Sequence, residues 1–263
     1  LWLQKNRPEH FEKAAKIVTS TTYLVQKLTG ECVVDHYSAA NFSPLYEIDV
    51  KGWSNALAPD IIDLERLPTV LWTTDIAGQI TRKAAKETGL AAGTPVITGT
   101  IDAAAEALSV GMTKAGDMMV MYGSTIFMIM LSSRRIQDAR LWYAPWLFPG
   151  EHASMSGLAT SGTLTHWFRD QFARDLPFES AFRTLTEEAE GSPPGANGVV
   201  MLPHLSGERT PIHDSNAKGV ITGDVNGDGW DDVLYCNAFA TDVPFLYINQ
   251  GAVLRRRAAE VDA

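Results

Sequence analysis

The chain has 263 residues, 45% of them hydrophobic and 20% charged, the make-up of an ordinary globular protein and long enough for two modest domains or one large one. A formal net charge of −9 argues against broad nucleic-acid binding, which needs a basic face. No apolar run reaches the roughly 18 residues of a membrane helix, the start shows no signal-peptide pattern, and Cys32 and Cys236 form no Cys-x-x-Cys pair of the zinc or redox kind.

In chain order, the opening residue Leu1 already reads as folded-domain sequence, so an amino-terminal truncation is expected. Apolar residues at helical spacing (Phe11, Ala14, Ala15, Val18, Tyr23, Leu24, Leu28) predict helix from Pro8 to Leu28, with Gly30 as its stop. Residues 35–53 mix polar and aromatic side chains with Pro44 and Gly52 and read as loop and short helix. A short helix is predicted over 81–88, ending near Gly89. The β-branched run Pro95-Val96-Ile97-Thr98-Gly99 predicts a buried strand, and Asp102 opens the strong helix former Ala103–Leu108. Strand, tight turn and helix in that order are a common ligand site in α/β proteins.

Two strands are predicted at 117–122 and 125–131 around a Gly-Ser turn, then helices at 158–172 and 178–189, a turn at Ser192-Pro193-Pro194-Gly195, and a short strand at 198–202. Beyond Val220 the character changes. Asp224, Asn226, Asp228 and Asp232 fall at alternate positions of a tight oxygen-rich loop, a pattern able to wrap a hard cation such as Ca²⁺. It is not an EF-hand, because Tyr235 stands where a bidentate Glu is required. Two short strand-like runs follow, at 233–236 and 245–248. Two free thiols fit a reducing compartment; one disulfide is the alternative.

Several segments, in order, resemble the FGGY carbohydrate kinases: Leu28-Thr29-Gly30-Glu31 with Asp35-His36-Tyr37-Ser38-Ala39-Ala40, then Trp53, Gly99-Thr100-Ile101-Asp102, Gly123-Ser124-Thr125, the 162–167 helix start, and Pro203 with Gly207-Glu208-Arg209-Thr210-Pro211. The resemblance implies an α/β, actin-like ATPase (ribonuclease H-like) fold, here partial, with a short β-rich carboxy-terminal tail. It implies ATP with Mg²⁺ as cofactor, a sugar or polyol as the small-molecule partner, a cytoplasmic location, no nucleic acid and no membrane; a homodimer is left open. Asp102 matches the family's catalytic base. Gly123, Ser124 and Thr125 match its glycine-threonine-serine phosphate turn with the two hydroxyl residues exchanged, and Gly162 and His166 match nucleotide-contacting positions.

Each match has a plainer structural reading. Asp102 suits a helix start through the macrodipole alone; Gly123-Ser124 suits a hairpin turn; His166 suits a helix surface; Asp35 suits a helix cap; and Glu208-Arg209 suits a structural ion pair. The order of the motifs favours the kinase. Expected divisions are 1–96 and 97–220 for parts of the first and second kinase domains, 221–252 for a single repeat resembling the FG-GAP β-propeller with its calcium loop, and 253–263 for a disordered tail. The family's first phosphate loop and its adenosine-binding glycine-rich region are not seen, so the isolated chain is expected to be a weak or inactive kinase. The tail is either a genuine fusion or a mis-joined reading frame. The competing reading is a calcium-binding propeller fragment of a surface protein; a non-catalytic scaffold of actin-like fold is a third.

Overall fold

The computed structural model describes residues 2–236, 245–249 and 254–258, and divides into two compact units. The first comprises residues 1–119, 129–138 and 142–155; the second comprises 120–128, 139–141 and 156–263. Four strands run through one sheet in the order β7 (Met118–Tyr122), β8 (Ile126–Ser132), β10 (His152–Leu158), β9 (Trp142–Pro145).

The first unit opens with two short helices, α1 (Trp2–Asn6) and α2 (Pro8–Lys13). The continuous helix predicted over 8–28 is broken. The backbone turns extended at Ala14, and α3 begins only at Ser20 and runs to Thr29. The break is held by tertiary bonds: Ile17 N donates to Arg66 O at 2.9 Å and Lys16 Nζ to Glu65 O at 2.7 Å. Thr19 then restarts the helix by accepting the amide of Thr22 on its side chain, which satisfies one of the orphan donors of the first turn. Gly30 ends α3 with φ +90°, as its sequence position predicts.

Strand β1 (Val33–Asp35) pairs in parallel with β4 (Thr69–Leu71) and feeds α4 (His36–Ala40). Short strands β2 (Tyr46–Glu47) and β3 (Gly52–Trp53) form a hairpin. Val34, Ala39 and Tyr46 make one apolar cluster and Leu45, Ile62 and Leu67 another, with Trp53 packed against both. Trp53 also donates its indole N–H to Pro68 O at 2.6 Å, so the tryptophan fastens the two clusters together.

Strand β5 (Ile76–Gln79) pairs antiparallel with β6 (Pro95–Ile97), with α5 (Arg82–Thr88) between them. The expectation that β6 is buried is overturned. Pro95 and Ile97 are exposed, because β6 has one neighbour in a two-stranded sheet instead of a place inside a larger one. Helix α6 spans Asp102–Ser109.

The second unit holds α7 (Gly162–Phe172) and α8 (Phe178–Glu190), then an antiparallel meander of β11 (Val200–Leu202), β12 (Gly219–Gly223), β13 (Asp232–Cys236), β14 (Phe245–Asn249) and β15 (Leu254–Ala258). The supposed foreign tail is therefore hydrogen-bonded to what precedes it: β12 pairs with β11 from Val200↔Thr222 to Leu202↔Val220. The expected division after residue 220 falls inside β12. A frayed tail is expected from 253, yet residues 254–258 form β15; residues 250–251 of the repeat's match, 253 and 259–263 lie outside the described residues.

Candidate functional site

Asp102 is the first residue of α6 and is exposed, with Ile101 as the helix cap. Its Oδ1 accepts the neighbouring Ala103 N at 2.7 Å, and among the described residues Oδ2 has no partner. The segment leading to it is pinned on both sides. Gly99 takes φ +73°, and a Cβ there would lie 3.2 Å from the Thr21 methyl, so glycine is required by both conformation and space. Gly99 N donates to Thr73 O at 3.1 Å, and Thr21 Oγ1 of α3 donates to Thr100 O at 3.0 Å.

Asp35 lies in the same unit, 2% exposed. It caps α4 by accepting Ser38 N at 3.2 Å on Oδ1, and it accepts the Thr73 hydroxyl at 3.0 Å on Oδ2. The hydroxyls of Ser38 and Thr100 favour its charged form without closing a hydrogen bond of normal geometry. Burial outweighs these contacts and pushes the carboxyl above its ordinary value. Tyr37, 2% exposed, donates to Met155 Sδ at 3.1 Å. Burial raises its phenol strongly, and the fields of Asp35 and Asp102 raise it further, so both carboxylates act on one buried hydroxyl.

In the second unit, Gly123, Ser124 and Thr125 form the exposed turn between β7 and β8, closed by Gly123 N to Thr125 O at 3.0 Å. The start of α7 is folded onto it. Ser161 N donates to Ser124 O at 3.0 Å, Gly162 N to Gly123 O at 2.8 Å, and the Thr163 hydroxyl to Ser124 O at 3.2 Å. The structure thus brings together Gly123, Ser124 and Gly162, which are distant in sequence. Beside them, the buried Ser161 hydroxyl caps nothing and has no partner. The amides of Ser161 and Gly162 are spent on holding the turn, so the buried Ser161 hydroxyl is the donor left beside it. His166 is exposed on α7 with its ring edge-on to Phe182 at 4.8 Å, the helix-surface placement.

Glu208 is 3% exposed and accepts Ile212 N at 2.7 Å and His213 N at 2.9 Å, so it orders its own loop through the backbone. Thr210 fastens that loop to β10, accepting Gly157 N at 2.6 Å and donating to Gly157 O at 2.8 Å. The sequence names Thr210 only as part of the 207–211 segment; a threonine beside proline gives no local signal of a bond made across 53 residues.

The oxygen-rich loop between β12 and β13 is held by its own side-chain-to-backbone hydrogen bonds. Asp224 accepts the amides of Gly227, Asp228 and Gly229, Asp228 accepts Trp230 N, and Asn226 bonds Asp228. Asp232, 1% exposed, accepts Val225 N and Asn249 N, stapling the loop to β14. Among the described residues no group of three or more His, Cys, Asp or Glu side chains is arranged to hold a metal ion. Nor is any described helix long and apolar enough to cross a membrane. Cys32 is a free thiol, raised by burial.

Comparison with known proteins agrees with this layout. Residues 1–109 match the amino-terminal domain of the FGGY family of carbohydrate kinases and residues 118–241 match its carboxy-terminal domain. Among curated relatives, the xylulose kinase of Lactococcus lactis is 30% identical over 227 residues, covering 85% of this chain and 44% of its own length. The autoinducer-2 kinase of Klebsiella pneumoniae is 30% identical over 213 residues, covering 77% and 40% respectively. Of the solved structures, xylulose kinase from Rhodospirillum rubrum aligns with a TM-score of 0.77 at 30% identity, over 86% of this chain and 45% of that one. Gluconate kinase from Lactobacillus acidophilus aligns at 0.76 with 23% identity over 86% and 45%, a likeness of fold. This chain spans about half the length of the relatives it matches. Its α/β architecture is the actin-like one of those kinases, and the chain belongs to the FGGY family of carbohydrate kinases.

Proposed function

We propose that this chain takes part in ATP-dependent phosphorylation of a sugar or polyol hydroxyl, with Asp102 as general base. What supports this is an exposed carboxylate on a helix start whose approach is fixed by Gly99 and Thr100, in the Gly99-Thr100-Ile101-Asp102 segment that resembles the family's base motif. Asp102 accepts the proton of the sugar hydroxyl as that oxygen bonds to the γ-phosphorus of ATP and the bond to the ADP oxygen breaks. In this reading Gly123 and Gly162 let the phosphate approach the backbone closely, and the hydroxyls of Ser124 and Ser161 donate to its oxygens. The fit rests on the unpartnered Ser161 hydroxyl and on Gly162, where a Cβ would come within 2.6 Å of Gly123 O. Mg²⁺ bound with the nucleotide would offset phosphate charge. Thr125 and His166 are placed at its margin on the family pattern alone, and the relatives' substrates make xylulose and gluconate the first sugars to try.

A coupled ATP-consumption assay across xylulose, gluconate and glycerol tests this reading. Asp102→Asn is expected to lower turnover by about a hundredfold or more. Turnover indifferent to that substitution would remove Asp102 from the chemistry.

A further inference from the structure

The buried carboxylate of Asp35 does more than cap α4, a helix of 5 residues. One oxygen serves the cap; the other is given to Thr73, whose own carbonyl receives Gly99 N–H. The buried Thr100 hydroxyl favours the same carboxylate's charged form but has no hydrogen-bond partner among the described residues. The residues leading to Asp102 are thus tied, at Gly99 and through Thr73, to one side chain at the end of β1. On the far side they are held by Thr21 of α3.

We propose that Asp35 is a positioning residue for Asp102: it locks Thr73, and through the Thr73 carbonyl the Gly99 end of the 98–101 segment from which the Asp102 carboxylate projects. This rests on the reading of Asp102 as the base. An α4 cap alone needs no second oxygen and no bond to Thr73. The cost of burying a carboxylate is also out of proportion to a cap on so short a helix, since a Ser or Asn there would cap as well. The buried charge fits a role in holding three separate backbone segments in one geometry.

The test combines amide hydrogen exchange with kinetics on the full chain, using Asp35→Asn, Thr73→Val and Thr73→Ser. Thr73→Val removes the hydroxyl that reaches Asp35 but keeps the carbonyl that receives Gly99. Exchange at Gly99 N–H is expected to rise about tenfold in Asp35→Asn and Thr73→Val, with Ala85 N–H of α5 unchanged as the internal reference, and to return close to wild type in Thr73→Ser. In the same two variants kcat is expected to fall about tenfold or more while the sugar KM moves little, because a base displaced by a fraction of an ångström still permits binding. Unchanged exchange at Gly99 in the folded variants overturns the proposal. So does raised exchange with unchanged kcat, which would make Asp35 a structural cap only. Failure of the Asp102 reading is seen separately: Asp102→Asn would leave turnover intact, while Gly99 exchange still decides whether Asp35 holds the segment.

Discussion

Gly162 admits no side chain. A Cβ built there lies 2.6 Å from Gly123 O and 3.3 Å from Gly123 C, both backbone atoms of a closed turn that cannot swing aside. Gly162→Ala should therefore destabilise the second unit by about 1–3 kcal/mol, the usual cost of overpacking, read as a lower urea midpoint. Gly123→Ala is the contrast, since its Cβ meets nothing nearer than Thr125 O at 3.8 Å and should cost little. A second residue-scale prediction concerns His36. It is buried, with Nδ1 2.7 Å from the Tyr46 hydroxyl and its ring 4.2 Å from Trp72. Burial, then the nearby Lys51, hold its imidazole below the ordinary value, with Asp75 opposing. The unfolded chain thus takes up the proton first, so the stability is complete above the ordinary histidine value and is lost as pH falls through it. Thermal midpoints should decline from pH ~7 to ~5, and His36→Asn should flatten that decline in part, because His152 is lowered by the same kinds of cause and keeps its own share.

At the scale of elements, local chemistry set most helix ends. Thr81 accepts Ala84 N at 3.1 Å and Gly89 closes α5 at φ +79°, so both limits stand in the sequence as a threonine before the helix and a glycine after it. Thr81→Ala should cost about 1 kcal/mol by chemical denaturation, with Thr81→Ser retaining most of the stability. The same reasoning located Gly30, the Gly123 turn and the Asp102 helix start. It failed where tertiary contacts decide. The break between α2 and α3 depends on Arg66 and Glu65, about 50 residues away, and nothing between Ala14 and Thr19 announces it. Strands β9 and β10 also give no signal: one ends in proline and the other is His-Ala-Ser-Met-Ser-Gly-Leu, small and polar. They become strands by pairing, from His152↔Pro145 to Met155↔Trp142. Of the candidate site, the carboxylate and the glycine turn were legible because each has a local cause. The link from Asp35 to Thr73 was not, because that partner lies 38 residues on.

For the whole molecule, the open question is which ligand stabilises the chain, and the two candidate chemistries make opposite predictions. The proposed phosphate site at the start of α7 has a buried Ser161 hydroxyl that is unpartnered among the described residues. In the 224–232 loop, by contrast, the Asp224 and Asp232 oxygens already accept backbone amides. Those bonds hold Asp224 below the ordinary carboxylate value, Gly229 contributing most. A cation entering the loop would compete with these amide donors for the carboxylate oxygens. A ligand that binds only the folded state adds RT ln(1 + [L]/Kd), about 2.7 kcal/mol at a hundred times Kd, and each kcal/mol is worth about 2–4 °C in a chain of this size. Mg-ATP, alone and with xylulose, is therefore expected to raise the melting midpoint by several degrees, and Ca²⁺ to leave it within about 1 °C of the untreated protein. The reverse pattern, a rise with Ca²⁺ and none with Mg-ATP, would move the function of this chain from the proposed phosphate site at α7 to the loop between β12 and β13.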